Sequence, residues 1–190
     1  MRTVWPRWVA GPLVGLAAAG LLLSGCGGDS PEPKPLPKDS KSSPSASPSA
    51  TPPVLPAEAK KKTKAGAEAL VQHFLSTMRY AGASGDTNAF AATYTRACTR
   101  CAAITAGIEK TYQDGGSIKG GAWVPTKTKA YAVNGDVAFV DAVVDYERQV
   151  WVKDSSGSKT TSPAKKNVLK TFQLVWRDQR WFVGALDPEL

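Results

Sequence analysis

Apolar residues in the middle of the chain recur every three or four positions, which is the period of an amphipathic helix. The pattern predicts a first helix that begins near Gly66 and ends within residues 82–85. Asp86 is a suitable N-cap for a short second helix, and a third helix is predicted from about Cys98 to Asp114. The apolar faces of these helices are formed by Leu70, Phe74, Met78, Ala81, Phe90, Tyr94, Ile104 and Ile108.

After Gly121 apolar residues alternate with polar ones, and β-branched and aromatic side chains become frequent, which is typical of strands. Segments 123–133 and 137–152 flank the dipeptide Asn134-Gly135. This dipeptide favours a type I′ turn, because both of its central positions need a positive φ. We therefore predict a hairpin centred on Asn134 and Gly135, with a long second strand.

A second hairpin is predicted about the two-residue loop Asp178-Gln179, between strands over 168–177 and 180–185. The loop length fixes the register, so that each step away from the loop preserves the pairing. We expect the helices to cover the apolar face of this hairpin. The expected opposite pairs are Arg177 and Arg180, Trp176 and Trp181, Leu174 and Val183, and Phe172 and Ala185.

Helices that precede a run of antiparallel strands are typical of the α+β class. The sequence therefore predicts three N-terminal helices packed on a curved antiparallel sheet of about four strands, within one domain over residues 57–190. No internal repeat interrupts this order.

The N-terminus carries a different kind of apolar run. Arg2 and Arg7 precede it, and it closes on Leu23-Ser24-Gly25-Cys26, a small-residue cleavage site that ends in cysteine. The run is shorter than the roughly 20 residues that span a bilayer. We therefore predict a lipoprotein signal peptide over residues 1–25, with lipid attached to the thiol of Cys26 as the membrane anchor.

Residues 26–56 are dominated by Pro, Ser, Lys and Thr, a composition from which no core can form. Such a segment samples extended conformations, so we predict a disordered linker that holds the domain away from the membrane. Its Ser, Thr and Pro content is also compatible with an O-glycosylated stalk.

The formal net charge of +8 does not indicate nucleic-acid binding. From Ala65 onward fifteen basic residues accompany twelve acidic ones, so the domain is nearly balanced. The only basic run is Lys60, Lys61, Lys62 and Lys64, which is either a solvated segment before the first helix or a contact for an anionic wall polymer or lipid headgroup. We therefore expect no nucleic-acid partner. The expected partners are the membrane, through the lipid on Cys26, and a protein or wall polymer of the cell envelope.

Three cysteines occur, and once Cys26 is assigned to lipid the remaining pair is Cys98 and Cys101. An exported protein with one remaining pair is expected to form a disulfide. The spacing also occurs in reactive dithiols of thioredoxins, but no strand or βαβ unit precedes it here. Two reduced thiols and a zinc site are further alternatives, although zinc needs four ligands and the only histidine, His73, lies on another helix.

The sequence resembles a family of actinobacterial lipoproteins of unknown function. The resemblance rests on the lipobox, the linker, Gly66-Ala67-Glu68-Ala69, Gly85-Asp86 and Cys98-Thr99-Arg100-Cys101. The element order is similar to the cone-shaped nuclear transport factor 2-like fold. That superfamily includes isomerases, dehydratases and non-catalytic binding domains, so the resemblance implies a fold and not a reaction.

His73, Asp141 and Asp145 are the candidate pocket residues, because enzymes of that superfamily often combine a His with an Asp. The alternation along the predicted strand instead favours Ala138, Val140, Ala142 and Val144 as the covered face, which leaves both acids in solvent. The acids enter a pocket only if the faces are exchanged.

We therefore expect a surface-anchored lipoprotein whose domain is a non-catalytic binding or interaction module, without metal or cofactor. One alternative is a small-molecule or acid/base site, which a cavity of about 300 Å³ or more with convergent polar groups would favour. The other is thiol-disulfide exchange, which an exposed Cys98 sulfur would favour.

Overall fold

The computed structural model describes residues 51–187, so Cys26 and most of the predicted linker lie outside the described residues. A short 3-10 helix precedes three α-helices, and all of them come before the strands. Within residues 51–187 no helix is long and apolar enough to cross a membrane. The helices are the 3-10 helix Ala57–Lys60, α1 (Lys64–Ser84), α2 (Asn88–Ala91) and α3 (Thr99–Gln113).

Seven strands form two antiparallel sheets, one of four strands in the order β2-β3-β6-β7 and one of three in the order β1-β4-β5. The prediction of a single sheet of about four strands is therefore wrong. The strands are β1 (Ser117–Gly120), β2 (Trp123–Asn134), β3 (Val137–Tyr146), β4 (Gln149–Val152), β5 (Lys159–Ser162), β6 (Lys165–Arg177) and β7 (Arg180–Leu186).

The second sheet arises where the predicted long strand 137–152 breaks. The chain leaves β3 after Tyr146, and β4 pairs with β1 instead of continuing along β6. The glycine-rich segment after α3, which has the composition of a loop, supplies that new partner. Backbone hydrogen bonds from Gly121 to Arg148 and from Glu147 to Ala122 hold the crossing point.

Helix α1 has a defined cap at each end. The side chain of Thr63 accepts a hydrogen bond from the Gly66 amide, which satisfies one of the free amides of the first turn. At the other end Gly85 adopts φ 80°, the left-handed conformation that ends many helices. A Cβ at Gly85 would lie 2.6 Å from the Tyr112 ring, so the close packing of α3 on this turn also requires glycine.

The inner face of the four-stranded sheet is apolar and buried. Along β3 the residues Ala138, Val140, Ala142 and Val144 are fully buried, as their alternation predicts. They share one core cluster with the apolar side of α1, where the Phe74 ring lies 5.6 Å from that of Phe172. The acids of β3 therefore lie on the outer face.

The hairpin of β6 and β7 confirms most of the predicted register. Asp178 and Gln179 form the loop with φ values of 50° and 59°, and Trp176 lies opposite Trp181. The two indoles meet edge to face with centroids 5.2 Å apart. The expected pairs of Arg177 with Arg180 and Leu174 with Val183 also form.

One predicted pair in this hairpin is wrong. Phe172 lies opposite Leu186, and Ala185 is displaced to Gln173. A bulge at Gly184 adds one residue to β7, so every pair beyond it moves by one position. The bulge keeps an apolar residue on the inner face, since Leu186 is buried where Ala185 was expected.

The hairpin of β2 and β3 turns one residue later than predicted. Asn134 pairs with Val137, so the loop is Gly135-Asp136, and only Gly135 has a positive φ, of 56°. A glycine at the first loop position is typical of a type II′ turn, which accepts a non-glycine residue second. Asp136 is thereby placed to form an ion pair with Lys62, at 2.6 Å.

Candidate functional site

A cleft of about 200 Å³ opens between the C-terminal half of α1, helix α3 and the strands β1 and β4. We call it the tryptophan cleft, because two indoles line it. Its wall is largely apolar, and four glycines leave it without side chains at those points. The lining residues that matter below are Met78, Arg79, Gly82, Ile104, Gly107, Trp123, Gln149 and Trp151.

Both indoles are held in place by contacts outside the cleft. The Trp151 Nε1 donates to the hydroxyl of Thr111 at 2.6 Å, and that hydroxyl donates in turn to the Gly107 carbonyl. The Trp123 ring packs on Tyr146 with centroids 4.8 Å apart, and the Lys170 ammonium lies 5.5 Å from the Trp123 centroid. The aromatic walls are therefore fixed before any ligand arrives.

Lys170 belongs to an ionic cluster behind Trp123. Its ammonium donates to the Asp187 carboxylate, which also forms an ion pair with Arg100 of α3 at 3.1 Å. Burial lowers the pKa of Lys170, but the hydrogen bond to Asp187 and the charges of Tyr146 and Asp187 outweigh it, and the net direction is upward. The charge on Lys170 is thus committed to supporting the wall of the cleft.

Among residues 51–187, Arg79 is the only ionisable residue that lines the tryptophan cleft. Its side chain is exposed and makes no ion pair or side-chain hydrogen bond within the described part of the chain. Gln149 lies opposite, where its amide packs against the backbone of Gly121. The cleft therefore offers a guanidinium and an amide to a ligand, but no acid and base pair.

The structure does not bring the three predicted pocket residues together. His73 lies buried on α1, on the inner side of the sheet, where burial first and Arg180 second lower its pKa below 6.5. Asp141 and Asp145 lie on β3 among the residues of the outer face. A proton relay between His73 and either carboxylate would have to cross the sheet.

Each acid has its own partner on the outer face. Asp141 accepts a hydrogen bond from the Thr171 hydroxyl at 2.9 Å. Asp145 accepts from the Lys166 ammonium at 2.8 Å and from the Asn167 amide, and these hydrogen bonds hold its pKa below 3.8. Asp145 therefore fixes the start of β6.

Asp141 also borders an open groove on the outer face, together with Lys127, Lys129, Tyr131 and Leu169. The groove measures about 400 Å³. Burial and the charge of Asp141 raise the pKa of Tyr131, whose ring stacks on Phe139. Tyr131, Leu169 and Val124 are three of the exposed large apolar residues of the described region, and all lie on β2 or β6.

Cys98 and Cys101 form a disulfide at the start of α3. Cys98 is also the N-cap of the helix, since its sulfur accepts a hydrogen bond from the Cys101 amide. The two residues are 1% and 0% exposed, which removes the sulfurs from the reach of a partner thiol. The bond therefore has the surroundings of a structural crosslink. The described residues hold no group of three side chains able to bind a metal.

The sequence analysis did not identify the tryptophan cleft. Trp123 and Trp151 come from strands of different sheets, and a periodicity argument does not place such strands beside each other. A usable signal was Gly82 and Gly107, which sit in the interiors of predicted helices, where glycine is unfavourable. A glycine within a helix, where no turn requires it, indicates that another element packs closely against the helix or that a space is left open beside it.

The chain belongs to a family of unknown function (DUF6318), whose model matches residues 41–187. No curated protein matches the chain.

The chain is similar to three solved structures over part of its length. The intermembrane space region of chloroplast protein ARC6 is 12% identical, with a TM-score of 0.49 over 64% of this chain and 92% of that one. A calcium/calmodulin dependent protein kinase II association domain from Xanthomonas campestris is 16% identical, with a TM-score of 0.41 over 67% and 91%. An NTF2-like protein with a cystatin-like fold from Novosphingobium aromaticivorans is 15% identical, with a TM-score of 0.37 over 61% and 76%.

Proposed function

We propose that this member of the DUF6318 family is anchored by lipid to the outer face of the cell membrane. We further propose that its domain binds a small apolar group in the tryptophan cleft without catalysing a reaction on it. The observation that carries this proposal is the cleft itself, an apolar space with two indoles already fixed by Thr111 and Tyr146. Preformed apolar pockets with few polar groups are the usual form of small-molecule sites.

Binding fits the cleft better than catalysis does. A general acid or base must lie within hydrogen-bond reach of the reacting group, and among the described residues the lining holds one ionisable side chain, the guanidinium of Arg79. The volume of about 200 Å³ is below the roughly 300 Å³ of a usual ligand pocket, so the cleft takes only a small group. Thiol exchange has no support, because Cys98 and Cys101 are buried.

The anchor is proposed from the sequence alone. Leu23-Ser24-Gly25-Cys26 has the order of a lipoprotein processing site, and an acylated Cys26 would hold the mature protein at the outer face of the membrane. We further propose that the domain is of the cone-shaped nuclear transport factor 2-like type, on the support of three helices followed by antiparallel strands.

Native mass spectrometry of the protein purified from its own cells tests the binding function. Wild-type protein should carry a small molecule that the variant Gly82→Leu lacks, because a Cβ at Gly82 has no protein atom within 4 Å and a larger side chain would extend into the cleft. Ala83→Leu, on the exposed side of the same turn, is the matched control and should retain the molecule. Equal loading of wild type and Gly82→Leu would contradict the proposal.

Membrane fractionation tests the anchor. The variant Cys26→Ala should appear in the soluble fraction or accumulate as an uncleaved precursor, because no thiol remains to carry lipid. A Cys26→Ala protein that is cleaved and still bound to the membrane would refute the lipid anchor, while leaving the binding function of the domain untouched.

A further inference from the structure

We infer that the ligand of the tryptophan cleft is a small aromatic carboxylate, with its ring against the indoles of Trp123 and Trp151 and its carboxylate at Arg79. This inference rests on the proposed function and names the chemistry of the bound molecule. Three independent features of the cleft support it: its glycines, its size and its charge.

Two helix-interior glycines of the described region have no local reason to be glycine, and both line the cleft. Gly82 of α1 would meet nothing within 4 Å if it carried a Cβ. Gly107 of α3 would meet the Trp151 ring at 3.7 Å, which is an ordinary contact. Glycine in a helix interior is destabilising relative to alanine. Both positions therefore lower helix stability and widen the same space.

The other glycines in or beside α1 behave differently. A Cβ at Gly66 would lie 2.1 Å from the Lys61 carbonyl oxygen, which is a clash with backbone. Gly85 has φ 80° and supports the Tyr112 ring. Packing thus explains Gly66 and Gly85, whereas Gly82 and Gly107 are explained by the space that they leave for an occupant.

The size of the cleft sets the size of that occupant. An apolar cavity of about 150 Å³ takes up benzene. The cleft has about 200 Å³ and therefore accommodates a ring with a short substituent. A flat ring is favoured over a flexible chain, because ring-on-ring contacts add stabilisation beyond their burial and the ring loses no torsional freedom.

Charge defines the polar end of the ligand. No carboxylate lines the cleft, and the Arg79 guanidinium has no ion pair within the described residues. A guanidinium binds a carboxylate through two parallel hydrogen bonds, which makes this the complementary group. The Gln149 amide can donate a further hydrogen bond to the same end.

Titration of the mature protein with phenylacetate and with its neutral isostere phenylacetamide tests the inference. The readouts are tryptophan fluorescence and calorimetry. Phenylacetate should bind at least about tenfold more tightly, since a hydrogen bond to a charged group contributes more than a neutral one. Arg79→Gln should remove that preference while the neutral probe still binds, and Arg96→Gln, an exposed arginine outside the cleft, should not.

Filling the cleft should prevent binding of both probes. Gly82→Leu should abolish it and Gly82→Ala should weaken it, with Ala83→Leu unchanged and with circular dichroism confirming that each variant is folded. Equal affinity for the two probes in wild type, or an unchanged preference in Arg79→Gln, would overturn the carboxylate while the binding function stands. Failure of both probes to bind the wild type would overturn the aromatic ligand class. In native mass spectrometry, a Gly82→Leu protein that carries as much small molecule as the wild type would overturn the binding function as well.

Discussion

The two ends of helix α1 use the same residue types for opposite purposes. At the N-terminal end Gly66 lies under the Lys61 carbonyl, and Trp181 is fully buried and donates to that carbonyl at 3.0 Å. At the C-terminal end Gly82 faces open space, and Trp123 and Trp151 remain partly exposed. The end of α1 at Gly66 and Trp181 is therefore filled, and we call it the closed end. The end at Gly82, Trp123 and Trp151 borders the cleft, and we call it the open end.

The difference teaches that residue type alone does not distinguish a packing role from a binding role. A buried indole contributes its whole apolar surface to stability, whereas a half-exposed indole keeps surface available for a ligand. The space beside the nearest glycine separates the two cases. A Cβ added to Gly66 would lie 2.1 Å from the Lys61 carbonyl oxygen, which is a clash, whereas a Cβ added to Gly82 would have no atom within 4 Å. Substitutions at the two ends should therefore differ in both size and sign.

The largest effect is expected at the closed end. Trp181→Ala should lower the free energy of unfolding by about 3–5 kcal/mol, because it removes a buried indole and leaves a cavity. Trp151→Ala should cost less, because that indole is already partly exposed. Urea unfolding followed by circular dichroism measures both, and equal losses would remove the distinction between the two ends.

Gly66→Ala should come next. Its Cβ would meet the Lys61 oxygen at 2.1 Å, so the backbone of the turn must shift, and forced packing of this kind costs about 1–3 kcal/mol. The loss should appear as a lower melting temperature. A melting temperature equal to that of the wild type would show that the turn before α1 yields without strain.

Gly82→Ala should have the opposite sign. Alanine has the higher helix propensity and meets no neighbour here, so the free energy of unfolding should rise by about 0.5–1 kcal/mol. The same variant should bind phenylacetate more weakly. A stabilised variant with unchanged affinity would separate Gly82 from ligand binding, and a destabilised one would show that the helix needs glycine there.

The smallest effect concerns pH and His73, which lies near the middle of α1 between the two ends. Burial, and then Arg180, lower the pKa of His73 from 6.5, so the unfolded chain takes up this proton before the folded one does. The contribution of neutral His73 to the stability of the fold is therefore complete above about pH 6.5 and is lost as the pH falls below that value. His73→Gln should flatten the stability profile between about pH 7 and 5, measured by thermal melts at low salt.

Asp145 provides a separate check on that profile. Its pKa is lowered from 3.8, so its contribution is lost only at more acidic pH. Asp145→Asn should leave the stability profile between pH 7 and 5 unchanged. A flattened profile in that variant would show that the change in this range does not come from His73.

The sequence predicted the hairpin that carries Trp181 well, because the pairing within a hairpin follows from local rules. A two-residue loop fixes the pairing of Trp176 with Trp181, and alternation along β3 gives the buried face. The prediction failed beyond Gly184, because a bulge needs no recognisable residue pattern. It also placed the β2–β3 turn one residue early, because Asn134-Gly135 suits a type I′ turn and the chain uses Gly135 first.

The open end could not be predicted in the same way. The cleft depends on β1 and β4, and the segment of β1 has the composition of a loop. Its walls meet only after two sheets and two helices have assembled, so no short window of sequence contains them. The candidate site His73, Asp141 and Asp145 was chosen by chemistry, but the sheet separates the histidine from the acids.

The contacts around the start of α1 also determine how the domain would carry a mechanical load. Tension applied to the chain at Thr51 would reach the turn between the 3-10 helix and α1, where Trp181 donates to the Lys61 carbonyl and Asp136 forms an ion pair with Lys62. The force would pass into β7 and the β2–β3 hairpin, which belong to one hydrogen-bonded sheet. Gly82 lies sixteen residues beyond Gly66 along α1, about 24 Å away. A domain pulled from the N-terminal side of Thr51 would therefore resist at one end of α1, while the cleft at the other end kept its shape.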